Sequence, residues 1–373
     1  MMNRTKKLLA ILLAVLLVSA AALPAFAAAP FDDGAYAAIL TGSDFQDLGT
    51  AAYERFGRFL RVMKNDGLET PDSMLVGGDY TKVLFDYAVP GMAQIKDQLT
   101  AVYPDADPDR VICIQGNHDN PASGFTKTGF YDMGVYCLYV INEDDFPWLQ
   151  GYRPGIGLHV KKIAEDLESK LGGMISAGDL RPVIVMTHLP LHHTDRALYA
   201  DNLYASYLFN VLNAAGRTLD VIFLFGHQHS DDYDDYIGGS VNFMQPGDAI
   251  RVPAPDKTGE DAYTTETLTF TYTNCGYVGY ANNNATETST NVLTLGVIRL
   301  SEKSFRFVKY TEDGMFRTDD VARKNPGAGA DMTRDGGSTR VNETLWRYNT
   351  IIFQWFFDYF KLIVKLVAKF FTL

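Results

Sequence analysis

The chain has 373 residues, with 33 Lys and Arg against 45 Asp and Glu and a formal charge of −12. That balance excludes nucleic-acid binding by bulk charge, which rests on basic residues neutralising phosphates. Cys113, Cys137 and Cys275 are scattered and form no Cys-x-x-Cys pair, so a disulfide scaffold and zinc-ribbon chemistry are excluded, with one bridge left open.

The chain starts with a basic "MMNRTKK", continues into the apolar core "LLAILLAVLLVSAAAL", and reaches a small-x-small "AFA" at Ala25 to Ala27. These three parts predict a signal peptide over 1–27, hence an exported protein that begins near Ala28; an uncleaved membrane anchor is the alternative. The segment contains Arg4, Lys6 and Lys7 and no acid, so its removal takes the charge from −12 to −15. An acidic protein of this kind holds a phosphate-bearing ligand through metal or a local patch, not through overall charge.

From about residue 35 to 239, short apolar runs alternate with helix-like stretches. The runs are "YAAILTG", "SMLVGG", "RVICIQG", "RPVIVMT" and "LDVIFLFG". Between them, "TAAYERFGRFLRVMKNDG", "GMAQIKDQLTAVYP" and "VKKIAEDLESKLGG" carry apolar residues at helical spacing, the first and third ending on glycine. This alternation predicts an α/β layered fold with much parallel pairing. After Ser240, "LTFTYTNCGYVGY", "NVLTLGVIRL" and "FRFVKYTEDG" read as strands that complete the sheets, giving one domain over 28–314. Residues 315–341, including "RKNPGAGADMTRDGGST", have almost no apolar periodicity and are expected to form a flexible linker.

The remainder, 342–373, places Arg347, Gln354, Asp358, Lys361, Lys365 and Lys369 on one helical stripe about 80° wide, with aromatic and aliphatic residues around it. An amphipathic C-terminal helix is expected. It either lies in a membrane interface through residues 345–373, or docks on its own domain or a second copy.

Each of the five apolar runs ends in metal-ligand types. The first delivers Asp44 and Gln46, the second Asp79 after two glycines, and the third Asn117, His118 and Asp119 in "GNHD". The fourth delivers His188, and the fifth His227 and His229 in "GHQH". Alone, each has a bland explanation as a cap, a corner or a core histidine. Five in a row do not, because ligands of open α/β folds gather at the carboxyl ends of strands and these turns should face one crevice.

The ordered set Asp-x-Gln, Gly-Asp, Gly-Asn-His-Asp, apolar-x-His and Gly-His-x-His resembles the calcineurin-like metallophosphoesterase family, over about residues 35 to 310. The resemblance implies a four-layer α/β/β/α sandwich with two divalent metal ions at the strand ends. It puts Asp44, Gln46, Asp79 and His229 on the first metal, and lets Asp79 bridge to a second held also by Asn117, His188 and His227. It implies attack on phosphorus by a metal-bridging hydroxide. It makes His118 the catalytic group that assists the leaving oxygen, with Asp119 orienting it.

Gln46 stands where most members carry histidine. An amide oxygen is a harder ligand than imidazole, so Mn²⁺ is favoured, with Fe²⁺, Mg²⁺ and Zn²⁺ as the other candidates. Lys82 occupies the position where the purple acid phosphatase branch needs tyrosine, so a tyrosinate–iron(III) site is not expected. Asn274, Tyr277 and Tyr280 either wall the cleft or pack in the core, and His192 and His193 either line the pocket or face solvent. The expected activity is that of an exported metal-dependent phosphoric ester hydrolase, acting on a small phosphomonoester or phosphodiester, with a phospholipid-derived ester attractive if the last helix meets membrane. The alternative is a catalytically weak binding or structural protein that retains the fold and attaches to membrane or partner through its C-terminal helix.

Overall fold

The computed structural model describes residues 34–46, 51–80, 88–119, 124–142, 156–191, 205–227, 242–253, 263–279 and 293–330. The expected signal peptide over 1–27, the C-terminal helix over 342–373, and His192, His193, His229 and Tyr280 lie outside the described residues. Among the described residues, no helix is long and apolar enough to cross a membrane.

The first sheet takes β1 (Ala37–Gly42), β2 (Ser73–Val76) and β3 (Val111–Cys113), paired in parallel in that order. Beyond β1 it is extended antiparallel by β12 (Leu295–Leu300), β13 (Ser304–Thr311) and β14 (Gly314–Ala322). The second sheet runs β5 (Cys137–Ile141), β6 (Val183–Thr187), β7 (Val221–Phe225) and β11 (Thr271–Asn274) in parallel. Antiparallel β4 (Gly129–Asp132) and β8 (Phe243–Met244) edge it, and β9 (Ala249–Pro253) pairs separately with β10 (Tyr263–Thr267).

The central strands read as continuous apolar runs because both of their faces are covered. Successive side chains of a strand point to opposite faces, and β1 and β7 show where each face goes. Leu40 of β1 packs with Phe56, Phe59 and Leu60 of α1 (Ala51–Asn65) and with Ile95 and Leu99 of α2 (Ala88–Val102). Phe223 and Phe225 of β7 pack with Leu167 and Leu171 of α3 (Ile156–Ala177) and with Leu208 and Leu212 of α4 (Ala205–Ala215). Their alternates, Ile39 on β1 and Ile222 and Leu224 on β7, meet in a third core between the sheets with Leu75, Ile112 and Ile184. The layers are therefore helices, sheet, sheet, helices, with four helices among the described residues. Cys113, Cys137 and Cys275 are buried free thiols, so the one bridge left open by the sequence does not form.

The linker expected to begin at Met315 is corrected. The chain continues through β14, which pairs with β13 from Ser304↔Ala322 to Thr311↔Gly314. Arg306 pairs with Asp320 at 3.1 Å across the strands, and Arg317 with Asp319 along one of them. The strand was hidden because it is an edge whose stability comes from cross-strand pairing and charge, with little apolar alternation to see. Residues 323–330 are also tied down. Arg323 is buried, lies 3.2 Å from Asp220 and donates to Tyr36 Oη, Ser301 O and Ala328 O. Residues 331–341 lie outside the described residues.

Candidate metal centre

All five ligand turns leave the carboxyl ends of parallel strands: β1, β2 and β3 from one sheet, β6 and β7 from the other. Hydrogen bonds join the sheets there. His188 Nδ1 lies 2.6 Å from Gly77 O, and His227 N–H donates to Asp44 Oδ2 at 2.9 Å. The crevice predicted from strand-end chemistry is where the two sheets meet.

The backbone bends sharply to aim these side chains. Asp44, Asp79 and His227 have φ of 54°, 59° and 64°, and no other described non-glycine residue has positive φ. A left-handed conformation costs a non-glycine residue about 1–3 kcal/mol and persists only where the surroundings enforce it. Neighbouring Gly78, at φ 98°, could not carry a side chain, because a Cβ would fall 2.6 Å from the Gly116 backbone nitrogen. Strain confined to three expected ligands marks this end of the fold as built for a site.

Asp79, His188 and His227 are buried, and each offers a ligand atom within 4.8 Å of the others. His188 Nε2 is 3.4 Å from Asp79 Oδ2. Asn117 Oδ1 lies 2.9 Å from His188 Nε2 and 3.0 Å from His227 Nδ1. Donors held about 2.1 Å from a cation sit about 3.0–3.4 Å from one another in octahedral or tetrahedral arrangements, so these atoms fit one ion. With Nδ1 turned to Gly77 O, His188 keeps Nε2 for the metal, as a ligating histidine fixed by an outer carbonyl does.

The charge state tells the same story. Burial opposes a charged His188, but the Asp79 carboxylate beside it, with Asp44 behind, pushes the imidazole up to about 10. In the metal-free centre a proton takes the place a cation would fill.

Of the first-metal set, Asp44 is fully buried and accepts the His227 N–H. Gln46 is 4% exposed and turns its amide nitrogen, not its oxygen, toward Asp79 Oδ2. His118 is exposed, and its backbone N–H donates to Asp79 Oδ1 at 2.9 Å.

Asp119 does not orient His118. Its carboxylate is buried and accepts the N–H groups of Asp79 at 2.8 Å, Tyr80 at 3.0 Å and Gly116 at 2.8 Å. Burial and the nearby Asp79 push its carboxyl up to about 8, with those three donors pulling it back. It braces the Asp79 turn against the Asn117 turn, a role that adjacency to His118 in sequence concealed. Asn274 and Tyr277 are 1% exposed, and Asn274 Oδ1 accepts the Gly276 N–H at 2.6 Å. Tyr80 is likewise buried, stacked on Phe45 and Phe125 with its phenol raised well above the ordinary range by burial.

Sequence reasoning missed Asn142. Its Oδ1 accepts the Gln115 N–H at 2.9 Å and its amide donates to Thr126 O at 2.6 Å, which holds the turn that presents Asn117. The signal was available, since Asn142 follows the apolar run "CLYVI" of β5 just as the ligands follow theirs.

The calcineurin-like phosphoesterase family model matches residues 39–231. No curated protein matches the chain. Among solved structures, the chain is similar to GAP50, the anchor in the inner membrane complex of Plasmodium, at 12% identity over 78% of this chain and 90% of that one, with a TM-score of 0.48. It is similar to a dimetal phosphatase from Danio rerio at 11% identity, covering 78% and 99%, with a TM-score of 0.43. A predicted phosphoesterase from Streptococcus pneumoniae is 11% identical, covering 77% and 98%, with a TM-score of 0.34.

Proposed function

The chain belongs to the calcineurin-like phosphoesterase family, and on that premise we propose that it is an exported hydrolase of small phosphomonoesters or phosphodiesters that works with two divalent cations, Mn²⁺ above Fe²⁺, Mg²⁺ or Zn²⁺. The observation that carries this reading is the buried convergence of Asp79, His188 and His227, joined by Asn117 Oδ1. Metal-dependent hydrolysis follows from that donor set, which combines one carboxylate, one amide oxygen and two imidazoles, with Asn117 half-buried and His118 exposed beside it.

When bound, the cations polarise the phosphoryl oxygens and lower the pKa of a water. The protein supplies the rest. Asp79 and Asp44 balance the cationic charge, and Asn117 and His188 fill positions without adding negative charge that would repel a phosphate. To His118, exposed beside Asn117, this reading assigns the proton given to the departing oxygen as the bond from phosphorus to that oxygen breaks. Export is supported by the basic, apolar and small-x-small parts of the first 27 residues, and a phospholipid-derived substrate by the amphipathic pattern of residues 345–373.

The test is hydrolysis of p-nitrophenyl phosphate and bis-p-nitrophenyl phosphate by purified protein supplied with Mn²⁺. Release of p-nitrophenol that stops on chelation is the expected result. Protein that holds metal and hydrolyses neither compound is instead the weak binding protein of the second reading, which the orientation of the Gln46 amide favours.

A further inference from the structure

We infer that Gln46 makes the two metal positions unequal: its amide donates to the bridging carboxylate of Asp79 where a ligand is required, so one cation is held tightly by Asp79, Asn117, His188 and His227 and a second only weakly on the Asp44 side. This rests on the metal-dependent reading above.

The Gln46 Nε2 group donates to Asp79 Oδ2, the same oxygen that lies 3.4 Å from His188 Nε2. To bind a cation, Gln46 must present Oε1, which has a lone pair to give, and withdraw the N–H that Asp79 accepts. At 4% exposure, Gln46 has no bulk water to replace the bond it breaks. A hydrogen bond to an ionised acceptor corresponds to about a ten- to hundredfold change in affinity, and a cation on this side must overcome it.

Among the described residues, the backbone leading into Gln46 is held on several sides. Asp44 N–H donates to Gly78 O at 2.9 Å, and Val278 N–H to Ser43 O at 3.2 Å. Phe45 is fully buried and stacked on Tyr53, with ring centroids 5.7 Å apart. From the far side the 275–279 strap presses on the turn so closely that a Cβ on Gly279 would lie 2.5 Å from Asp44 O and 3.0 Å from Gln46 O. Arg55 holds that strap, its Nη1 donating to Val278 O at 2.6 Å and to Gly279 O. With that part of the turn held, Gln46 presents its oxygen by turning its side chain, which breaks the bond to Asp79.

At the other position the only competitors among the contacts described are ring protons, because His188 Nε2 and His227 Nδ1 both lie within hydrogen-bond reach of Asn117 Oδ1. Asn117 already directs its oxygen between the two imidazoles, and His188 has its Nδ1 against Gly77 O. A cation there displaces a proton and finds its donors aligned. Imidazole at position 46 would carry a lone pair on one nitrogen and its proton on the other, so Gln46→His restores a ligand.

Purified protein, stripped of metal and reloaded with Mn²⁺, is desalted and its bound manganese counted by plasma mass spectrometry. Calorimetric titration and electron paramagnetic resonance are run on the same samples. One retained ion per chain is expected, with an isolated six-line spectrum at one equivalent and a second ion binding about ten- to hundredfold more weakly. Gln46→His is expected to retain two ions and show a spin-coupled spectrum. Two equally tight ions in the unaltered protein, or a folded Gln46→His protein that still retains one, overturn the inference. The unaltered protein's stoichiometry decides the matter if the variant does not fold. A chain that retains no ion overturns both this inference and the metal-dependent reading. One retained ion without hydrolysis supports the inference and overturns only the hydrolase reading.

Discussion

The two ends of β1 and β7 solve opposite problems with similar residues. At their carboxyl ends, Asp44 and His227 sit in left-handed conformations, and the buried carboxylates of Asp44, Asp79 and Asp119 crowd together and accept hydrogen bonds from N–H groups. At their amino ends, Tyr36 and Asp220 take part in a fully paired cluster. Arg323 bridges Asp220 to Tyr36 Oη, Ser301 O and Ala328 O, while the backbone N–H groups of Lys324 and Asn325 complete Asp220. Buried charge is thus balanced within the protein at one end and left for a cation to balance at the other. The difference teaches where stability and where function are stored along the same strands.

Variants at the two ends should therefore fail in different ways. The largest effect is expected from His118→Ala, which should lower kcat about 10²–10⁴-fold while manganese content stays unchanged; normal turnover in a metal-loaded variant would remove His118 from the chemistry. Next is Arg323→Met, which strands a buried carboxylate. It should cost about 3–5 kcal/mol in urea unfolding yet leave manganese affinity as it was. If affinity falls in proportion, the two ends are not separate in function. Asn142→Ala, two contacts removed from the metal, should weaken manganese binding by about 10–100-fold with a smaller loss of stability, read by calorimetry and melting.

The mildest effect separates the ends by pH. His188 in the metal-free protein is raised from 6.5 to about 10, so its stabilisation is complete below pH 6.5 and is lost as pH rises through 10. Asp119, raised from 3.8 to about 8, acts in the same direction between those values. The Tm of chelator-treated protein should fall between pH 6.5 and 9, and Mn²⁺ should recover most of that fall. A flat profile would show that the crowded carboxylates are relieved in some other way.

Much of this centre was legible because ligand types recur after apolar runs, and a run buried on both faces is hard to mistake. The parallel order of β1, β2 and β3 follows from those runs and from the helices read between them, whereas α4, between β6 and β7, was not read from the sequence. What stayed hidden depends on direction, not composition. Nothing in "GNHD" says that Asp119 turns back to three backbone N–H groups while His118 turns out. Gln46 was legible as an oddity, but the way its amide faces depends on Asp79, 33 residues away. β14 escaped because an edge strand needs no apolar stripe, and Asn142 because the run of β5 was not counted among the others.

The most direct measurement is the anomalous scattering of manganese in crystals equilibrated with Mn²⁺. The account predicts the strongest peak between Asp79, Asn117 Oδ1, His188 Nε2 and His227 Nδ1, with a weaker one or none beside Asp44. A strongest peak elsewhere, or no peak between those four residues, would contradict it.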